Sequence, residues 1–203
     1  MEAPVFFVML ILWLQSDRSV LSVPFLFFLL FELHYFQRSF VFPFLMKGKS
    51  RMPVAIMLMG VIFNLLNGYI QGEWLFFLVP EDLYSSDYLY RINCWIGILV
   101  FFLGMGINWH SDYVIRHLRQ PGDTRHYLPE KGLYHWVTSG NYFGEWLEWT
   151  GFALATSSPA AWVFVWWTFA NLAPRAYAIR QKYREEFGVE AVGKRKCLIP
   201  YIF

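Results

Sequence analysis

The feature that most constrains this chain is a series of long apolar segments separated by short polar stretches. Five of them reach or approach the roughly 20 residues that a transmembrane helix needs: 20–46, 53–72, 92–109, 141–157 and 160–177. A shorter apolar segment, 2–14, precedes them. Charged residues make up 16% of the chain, against about 25% in soluble domains, so a soluble fold would expose large apolar patches. We predict an all-α polytopic membrane helix bundle of about six helices, forming one domain over residues 1–203.

Positive charges are distributed unevenly over the loops between these segments. If the segments cross the membrane alternately, only Arg18 and Arg91 fall on one side. The other side carries Lys47, Lys49, Arg51, Arg116, Arg119, Arg125, Lys131, Arg175, Arg180, Lys182, Arg184, Lys194, Arg195 and Lys196. Cytoplasmic loops carry the excess of Lys and Arg. The pattern therefore predicts that the loop 111–140 and the C-terminal tail face the cytoplasm.

Several classes of function find no support in the sequence. The net charge of +2 is too small to indicate nucleic-acid binding. Cys94 and Cys197 lack the spacing of a metal site, so we expect free thiols and no bound metal. The GxG pattern at 104–106 lies inside an apolar segment, where it indicates close helix packing rather than dinucleotide binding.

Polar residues recur within the apolar segments, where ionisable groups are costly unless they are paired or hydrated. They form three groups: Asn108, Asp112, Arg116 and Arg119; Asn141, Glu145 and Glu148; and Glu32, His34, Tyr35 and Arg38. The first two groups each follow one face of a helix. One interpretation is a set of hydrogen bonds between helices and of side chains that snorkel to the surface. The interpretation we favour is a polar cavity that opens toward the cytoplasm.

A cavity of this composition suits a ligand that carries phosphates and an amide. Arginine forms charge-assisted hydrogen bonds with phosphate, and an asparagine side chain both donates and accepts. A nicotinamide dinucleotide has both groups, although other anions share the phosphate. The residues alone leave the identity of the ligand open.

Several motifs at these positions resemble those of the steroid 5α-reductase family, in the same order along nearly the whole chain. They are HYFQRSF at 34–40, LGMGINWHSDY at 103–113, LRQPGD at 118–123, GLY at 132–134, NYFGEWLEW at 141–149 and LIPYIF at 198–203. The Asn-x-His-Ser-Asp and Asn-Tyr-Phe-Gly-Glu-x-x-Glu-Trp patterns are the most specific of these.

The resemblance implies a seven-helix membrane fold that binds NADPH from the cytoplasmic side and reduces the Δ4 double bond of a 3-oxosteroid. Hydride goes to the β-carbon and a proton follows at the α-carbon. Negative charge builds on the 3-oxo group, so an acid is required beside it. Tyr35 matches the tyrosine and Glu2 matches the glutamate that supply this acid in the family.

The same resemblance assigns a binding role to a further set of residues. The residues expected to bind the cofactor are Asn108, Asp112, Arg116, Arg119, Asn141, Glu145, Arg175 and Tyr183. Trp149 is expected to face the steroid. Helix-end hydrogen bonds and anchoring at the membrane surface are the alternative roles for the polar members. We expect a monomer in the endoplasmic reticulum membrane, surrounded by bilayer lipids, with a steroid-like substrate.

The sequence departs from the family pattern at several positions. The family's first helix is absent, and the chain begins at the proposed catalytic Glu2. Met46 and Met59 stand where some relatives have Asn and Arg, the stretch 176–182 lacks histidine, and Tyr127 replaces a basic residue. We expect a weakly stable or weakly active chain, and an added N-terminal helix should raise both its melting temperature and its turnover.

Two other functions remain open at this level. A reductase of another lipid, such as an enoyl-CoA thioester or a polyprenol, would use the same hydride chemistry. A catalytically silent membrane protein that binds sterol is the alternative from a different class, and the absent first helix and histidines favour it.

Overall fold

The computed structural model describes residues 1–46, 52–80, 82–119, 123 and 125–203. Within them the chain consists of helices joined by short connections, and an isolated parallel bridge joins Val137 and Lys196. The predicted all-α fold is confirmed. The predicted basic loop 47–51 and residues 120–122 of the 118–123 motif lie outside the described residues.

The helices follow the predicted apolar segments. They are α1 Ala3–Gln15, α2 Val23–Phe36, α3 Phe42–Leu45, α4 Val54–Glu73, α5 Ile92–Arg116, α6 Gly140–Thr156, α7 Pro159–Phe187 and α8 Val189–Val192. π-helical turns, Gln37–Val41 and Trp74–Leu78, continue α2 and α4, and 3₁₀ turns form at Ser86–Tyr90 and Gly132–His135. α5 and α7 continue past the predicted ends at residues 109 and 177, so their last turns carry several of the predicted polar residues.

Proline marks the start of several helices. Pro4, Pro24 and Pro43 lie in the first turn of α1, α2 and α3, and Pro159 is the first residue of α7. The N–H that proline lacks would have no partner within the first helical turn, and its fixed φ already suits a helix. These positions therefore separate the apolar sequence into helices.

Three helical stretches among the described residues are long and apolar enough to cross a membrane: Val23–Leu45, Val54–Leu78 and Ile92–Arg116. Large apolar side chains on them face outward, such as Met59 and Leu99, which are 71% and 60% exposed. Lipid is the solvent in which such a surface is stable, so the chain is an integral membrane protein. α6 and α7, also predicted as spans, are not among these stretches: α6 has 17 residues, and the 29 residues of α7 have a lower mean hydropathy.

The chain divides into two compact units. The first unit comprises Met1–Gly97 and Phe152–Trp162, and the second comprises Ile98–Gly151 and Val163–Phe203. The single domain expected from the sequence stays a prediction.

In the first unit, α1 packs along α4 through glycines. A Cβ atom at Gly72 would lie 2.5 Å from Leu12 Cδ1, and one at Gly68 would lie 3.0 Å from Val5 Cγ2. Small residues allow helices in a membrane to approach closely. α1 has 13 residues, about 20 Å of helix, so it is too short to span the bilayer core of about 30 Å.

Two tyrosines of the same unit donate hydrogen bonds to backbone carbonyl oxygens at the C-terminal end of α6. The hydroxyl groups of Tyr84 and Tyr88 donate to the carbonyl oxygens of Thr156 and Ala155, at 2.6 and 2.9 Å. The ring of Phe27 packs against both tyrosine rings, with centroids 5.3 and 5.9 Å away. Carbonyls of the last helical turn lack partners within the helix, so these hydrogen bonds satisfy them.

In the second unit, α5 and α6 meet at their backbones. A Cβ atom at Gly104 would lie 2.3 Å from Glu148 N, and one at Gly144 would lie 2.4 Å from Asn108 N. No residue with a side chain fits at this distance. A Cβ at Gly106, by contrast, would have nothing within 4 Å. The predicted close helix packing is therefore confirmed for Gly104 and wrong for Gly106.

The C-terminal segment, residues 196–203, packs onto the second unit. The backbone N–H of Lys196 donates to the Trp136 carbonyl at 2.8 Å, and the N–H of Thr138 donates to the Lys196 carbonyl at 2.9 Å. Leu198 is fully buried against apolar side chains of α6 and α7. The segment is therefore an integral part of the unit.

We predict that Gly104→Ala and Gly144→Ala each destabilise the protein, because the added methyl group meets backbone atoms of the facing helix. The expected loss in the free energy of unfolding is about 1–3 kcal/mol. Gly106→Ala is the matched control: its methyl group enters open space, and replacing a helical glycine contributes about 0.5–1 kcal/mol of stability. Thermal unfolding of the detergent-solubilised protein, followed by circular dichroism, measures these changes. Equal melting temperatures for Gly104→Ala and Gly106→Ala would contradict the proposed contact.

Candidate functional site

Tyr35 lies near the C-terminal end of α2 and is 3% exposed. The ring centroids of Phe31 and His34 lie 4.8 and 5.0 Å from that of Tyr35. Asn67 of α4 donates through Nδ2 to the Tyr35 hydroxyl oxygen at 3.1 Å. In this bond the Tyr35 oxygen is the acceptor, so Asn67 helps to fix the position of the hydroxyl group.

Asn67 is itself held in place by Gln71, one turn later on α4. Gln71 Nε2 lies 3.4 Å from Asn67 Oδ1 and donates to the Ala160 carbonyl at 2.9 Å. Both side chains are buried. Sequence reasoning did not identify Asn67. The recurrence of Asn64, Asn67 and Gln71 on one face of an apolar helix is the signal that could have found it.

The proposed acid Glu2 forms an ion pair with Arg38. Glu2 Oε2 and Arg38 Nε are 3.5 Å apart, and the two side chains are 30% and 17% exposed. Glu2 is the N-cap residue of α1, and Arg38 belongs to the π-helical turn Gln37–Val41. π-helical turns are rare and frequently occur at functional sites. This turn starts two residues after Tyr35, so the ion pair brings Glu2 to the end of α2 that carries the tyrosine.

Glu32, a turn before Tyr35, is 7% exposed. Neither of its carboxyl oxygens has a hydrogen-bond partner among the described residues. Leaving a buried polar group unsatisfied costs about 1–3 kcal/mol. Glu32 therefore reduces the stability of the first unit.

In the second unit, α5 and α6 hold a chain of three polar side chains. Asn108 Nδ2 donates to the Asn141 carbonyl at 2.9 Å, and Asn141 Nδ2 donates to Asp112 Oδ1 at 3.1 Å. Asn108 and Asp112 are buried, at 2% and 6% exposure, and Asn141 is half-buried. The structure thus brings together three of the residues expected to bind the cofactor.

Tyr134 extends this polar cluster, although sequence reasoning gave it no role. It is 1% exposed, and its hydroxyl donates to the Ser111 carbonyl at 3.5 Å. Burial, and next the charge of Asp112, raise the pKa of Tyr134 above its ordinary value. The hydroxyl therefore stays a donor near neutral pH. The GLY motif at 132–134 is the sequence signal that pointed to this position.

The remaining residues expected to bind the cofactor differ in exposure. Arg116, Glu145 and Tyr183 are half-buried, whereas Arg119 and Arg175 are exposed. Exposed arginines reach solution anions, and half-buried ones bind them more strongly because water screens the charges less.

Trp149, expected to face the steroid, lies on α6 and is 1% exposed. Its ring packs edge-on against Phe164 of α7, with centroids 4.7 Å apart and planes at 73°. Edge-to-face aromatic pairs add about 0.5–1.5 kcal/mol beyond the burial itself. In this structure, Trp149 belongs to the packing between α6 and α7.

Part of the loop after α5 is organised around Asp123. Arg125 donates to Asp123 Oδ1 through Nε at 3.2 Å, and the Tyr127 hydroxyl donates to Asp123 Oδ2. The hydrogen bonds from Arg125 and then Tyr127 hold the pKa of Asp123 well below its ordinary value. Farther along, His126 Nδ1 lies 2.5 Å from Glu186 Oε1 of α7. Tyr127 is therefore a partner of Asp123.

The polar groups of the second unit have the chemistry that NADPH requires. The Asn108 and Asn141 side chains suit a carboxamide, because an asparagine amide both donates and accepts. The Asp112 and Glu145 carboxylates suit ribose hydroxyl groups, and Arg116 suits a phosphate. The donor set fits the cofactor that the resemblance implies.

We predict that the Asn67–Tyr35 hydrogen bond stabilises the protein by about 0.5–1.5 kcal/mol. A double-mutant cycle with Asn67→Ala and Tyr35→Phe, measured by unfolding in detergent, isolates this coupling from the loss of the Gln71 contact. Asn64→Ala is the matched control, because Asn64 Nδ2 donates to the backbone oxygens of Gly60 and Met1. Asn64→Ala and Tyr35→Phe should be additive. Additivity of Asn67→Ala with Tyr35→Phe as well would show that the bond contributes nothing.

Residues 50–203 match the family described as 3-oxo-5-alpha-steroid 4-dehydrogenase. Similar proteins include 3-oxo-5-alpha-steroid 4-dehydrogenase 1 of Bos taurus, 41% identical over 85% of this chain and 66% of its own length. The type 1 protein of Homo sapiens is 38% identical over 86% of this chain and 66% of its own length. The type 2 protein of Sus scrofa is 37% identical over 100% of this chain and 78% of its own length. The chain thus spans about two thirds of the cattle and human proteins that it matches. On this match, the chain belongs to the 3-oxo-5-alpha-steroid 4-dehydrogenase family.

Proposed function

We propose that this protein is an NADPH-dependent reductase of the Δ4 double bond of 3-oxosteroids. The observation that carries the proposal is the buried Tyr35 hydroxyl, whose oxygen accepts a hydrogen bond from Asn67 and is thereby held at a fixed position. A proton donor held at a fixed position suits the carbonyl of an enone. The names of the similar type 1 and type 2 proteins support the same substrate class.

In the proposed reaction, Tyr35 places its phenolic proton at the 3-oxo oxygen. NADPH, when bound, supplies the hydride that adds to the β-carbon, and a proton then adds to the α-carbon to complete the reduction. Negative charge develops on the 3-oxo oxygen as the double bond is reduced, and a donor oriented in advance stabilises that charge. Asn67 and Gln71 act as positioning residues for Tyr35, since together they fix the direction of its hydroxyl. Glu2, which pairs with Arg38 at the end of α2 that carries Tyr35, would support Tyr35 as an acid only in its protonated form, which requires that ion pair to open.

Residues of the second unit bind the cofactor in this proposal. Asn108 and Asn141 orient the carboxamide, and Asp112 and Glu145 accept hydrogen bonds from hydroxyl groups. The charges that meet the phosphates come from Arg116, Arg119 and Arg175. Tyr183 lines the same site, and Trp149 is proposed to contact the steroid while it packs against Phe164.

We further propose that the protein is a monomer of the endoplasmic reticulum membrane. The basic residues concentrated in loops and tail favour a cytoplasmic C-terminus. This orientation would give NADPH access from the cytoplasm.

The test of this function incubates membranes that contain the protein with NADPH and a panel of Δ4-3-oxosteroids, enoyl-CoA thioesters and polyprenals. We expect 5α-reduced steroids, and a rate with NADPH at least about tenfold above that with NADH at equal concentration, because arginine pairs with a 2′-phosphate. Product from another lipid would replace the proposed substrate, and absence of product from all substrates would favour a sterol-binding protein. Equal rates with the two cofactors would contradict the proposed binding of the 2′-phosphate.

Tyr35→Phe removes one hydroxyl group and leaves the ring, so the fold should survive. If the hydroxyl polarises the carbonyl, kcat should fall about 100-fold or more, as it does when one oxyanion donor is lost. Tyr69→Phe is the matched control, because Tyr69 of α4 is 53% exposed, and it should retain the wild-type rate. A near-wild-type kcat for Tyr35→Phe would assign the proton donor to Glu2 or to another group.

A further inference from the structure

A groove of about 420 Å³ lies on the outer surface of the second unit, apart from the residues proposed to bind the cofactor. Its apolar end is formed by Phe102 and Leu103 of α5, which are 47% and 53% exposed. Its polar end is formed by His110 and Ser111, two turns later. Residues 102–111 extend about 14 Å along the helix, so the groove is long, narrow and polar at one end.

The floor of the groove is open because it contains a glycine. A Cβ atom at Gly106 would have nothing within 4 Å, whereas one at Gly104 would contact the backbone of α6. Gly106 therefore leaves room on the exposed face of a membrane helix. This space suits a flexible hydrocarbon chain, which bilayer lipids supply at high concentration.

The polar end is shaped by the loop that follows α5. Gly132 has φ +62° and lies so close to the His110 ring that a Cβ there would be 2.4 Å from His110 Cε1. The Ser111 hydroxyl is fully buried and has no hydrogen-bond partner within the described part of the chain. Trp136, which is 46% exposed, completes the rim, and tryptophan is enriched at the level of lipid headgroups.

The charges around the polar end favour an anion. None of the described residues that line the groove is acidic, His110 is one of them, and the exposed Lys131 directly precedes Gly132 in the chain. Nearby acids are already engaged: Glu130 pairs with Arg195 at 3.6 Å, and Asp112 accepts from Asn141. The lining itself would therefore present no carboxylate to an anionic headgroup.

We propose that this groove binds one anionic phospholipid, with an acyl chain along Phe102, Leu103 and Gly106 and the phosphate near His110, Ser111 and Lys131. The cytoplasmic leaflet carries anionic lipids, which agrees with the orientation proposed for the loops. The site is separate from the proposed reaction, so lipid binding and steroid reduction can fail independently.

The experiment places the purified protein in phosphatidylcholine nanodiscs with a trace of phosphatidylglycerol that carries a diazirine on its acyl chain. After irradiation, mass spectrometry identifies the labelled peptides. We expect labels within residues 102–111, and competition by unlabelled phosphatidylglycerol about fivefold stronger than by added phosphatidylcholine. His110→Gln removes the ring that can carry charge and should reduce this preference.

Gly106→Trp fills the groove and should reduce labelling about tenfold. Leu99→Trp is the matched control, because it adds the same side chain at another exposed position of α5, and its labelling should equal the wild type. Equal labelling of Gly106→Trp and wild type, or equal competition by the two lipids, would overturn the proposal. Labels found only outside residues 102–111 would overturn it as well. If Gly106→Trp does not fold, Ser111→Ala and His110→Gln test the proposal instead. An unchanged preference for phosphatidylglycerol over phosphatidylcholine in both variants would contradict it.

Discussion

The backbone contact between α5 and α6 is the constraint on which the second unit depends. Gly104 and Gly144 let the two helices approach so closely that Asn108, one turn after Gly104, reaches the Asn141 carbonyl. A helix pair at the usual separation of 8–10 Å would leave these amides apart in a medium that offers no water to replace them. The two glycines therefore determine where the polar residues meet. Asp112, one turn after Asn108 on α5, is within reach of the Asn141 side chain for the same reason.

The first unit reaches a similar result through side chains instead of backbone contact. Tyr35 is surrounded by apolar and aromatic groups, and its direction comes from Asn67, which accepts from Gln71, and Gln71 in turn donates to a carbonyl oxygen of α7. The Asn67 amide both donates and accepts in this series, and the Gln71 amide donates to two oxygen atoms. Such a series fixes a hydroxyl group more firmly than a single contact would, because every member restricts the rotation of the next.

The sequence predicted the helical segments well because the length of an apolar segment is a local property. Helical spacing placed Asn108 and Asp112 on one face, and the proposed cavity and the family resemblance grouped them with Asn141, which the structure brings into contact with both. It did not predict that Asn67 would be the partner of Tyr35. That contact joins residues 32 positions apart, and no local pattern determines which of several polar residues on a neighbouring helix will meet a given side chain. The ends of α5 and α7 were also underestimated, because helices continue past the lipid boundary where hydropathy no longer marks them.

The C-terminal segment has a consequence for how the protein is made. Thr138 bonds to residues 58 and 59 positions later, and Leu198 covers Ala173 and Ala176 of α7. During synthesis the chain emerges from its N-terminus, so these partners stay uncovered until the segment beginning at residue 196 is available. A chain interrupted before that point would leave an apolar surface and unpaired backbone groups exposed. Cellular quality control recognises such surfaces, so translation through this segment separates a chain that can mature from one that is degraded.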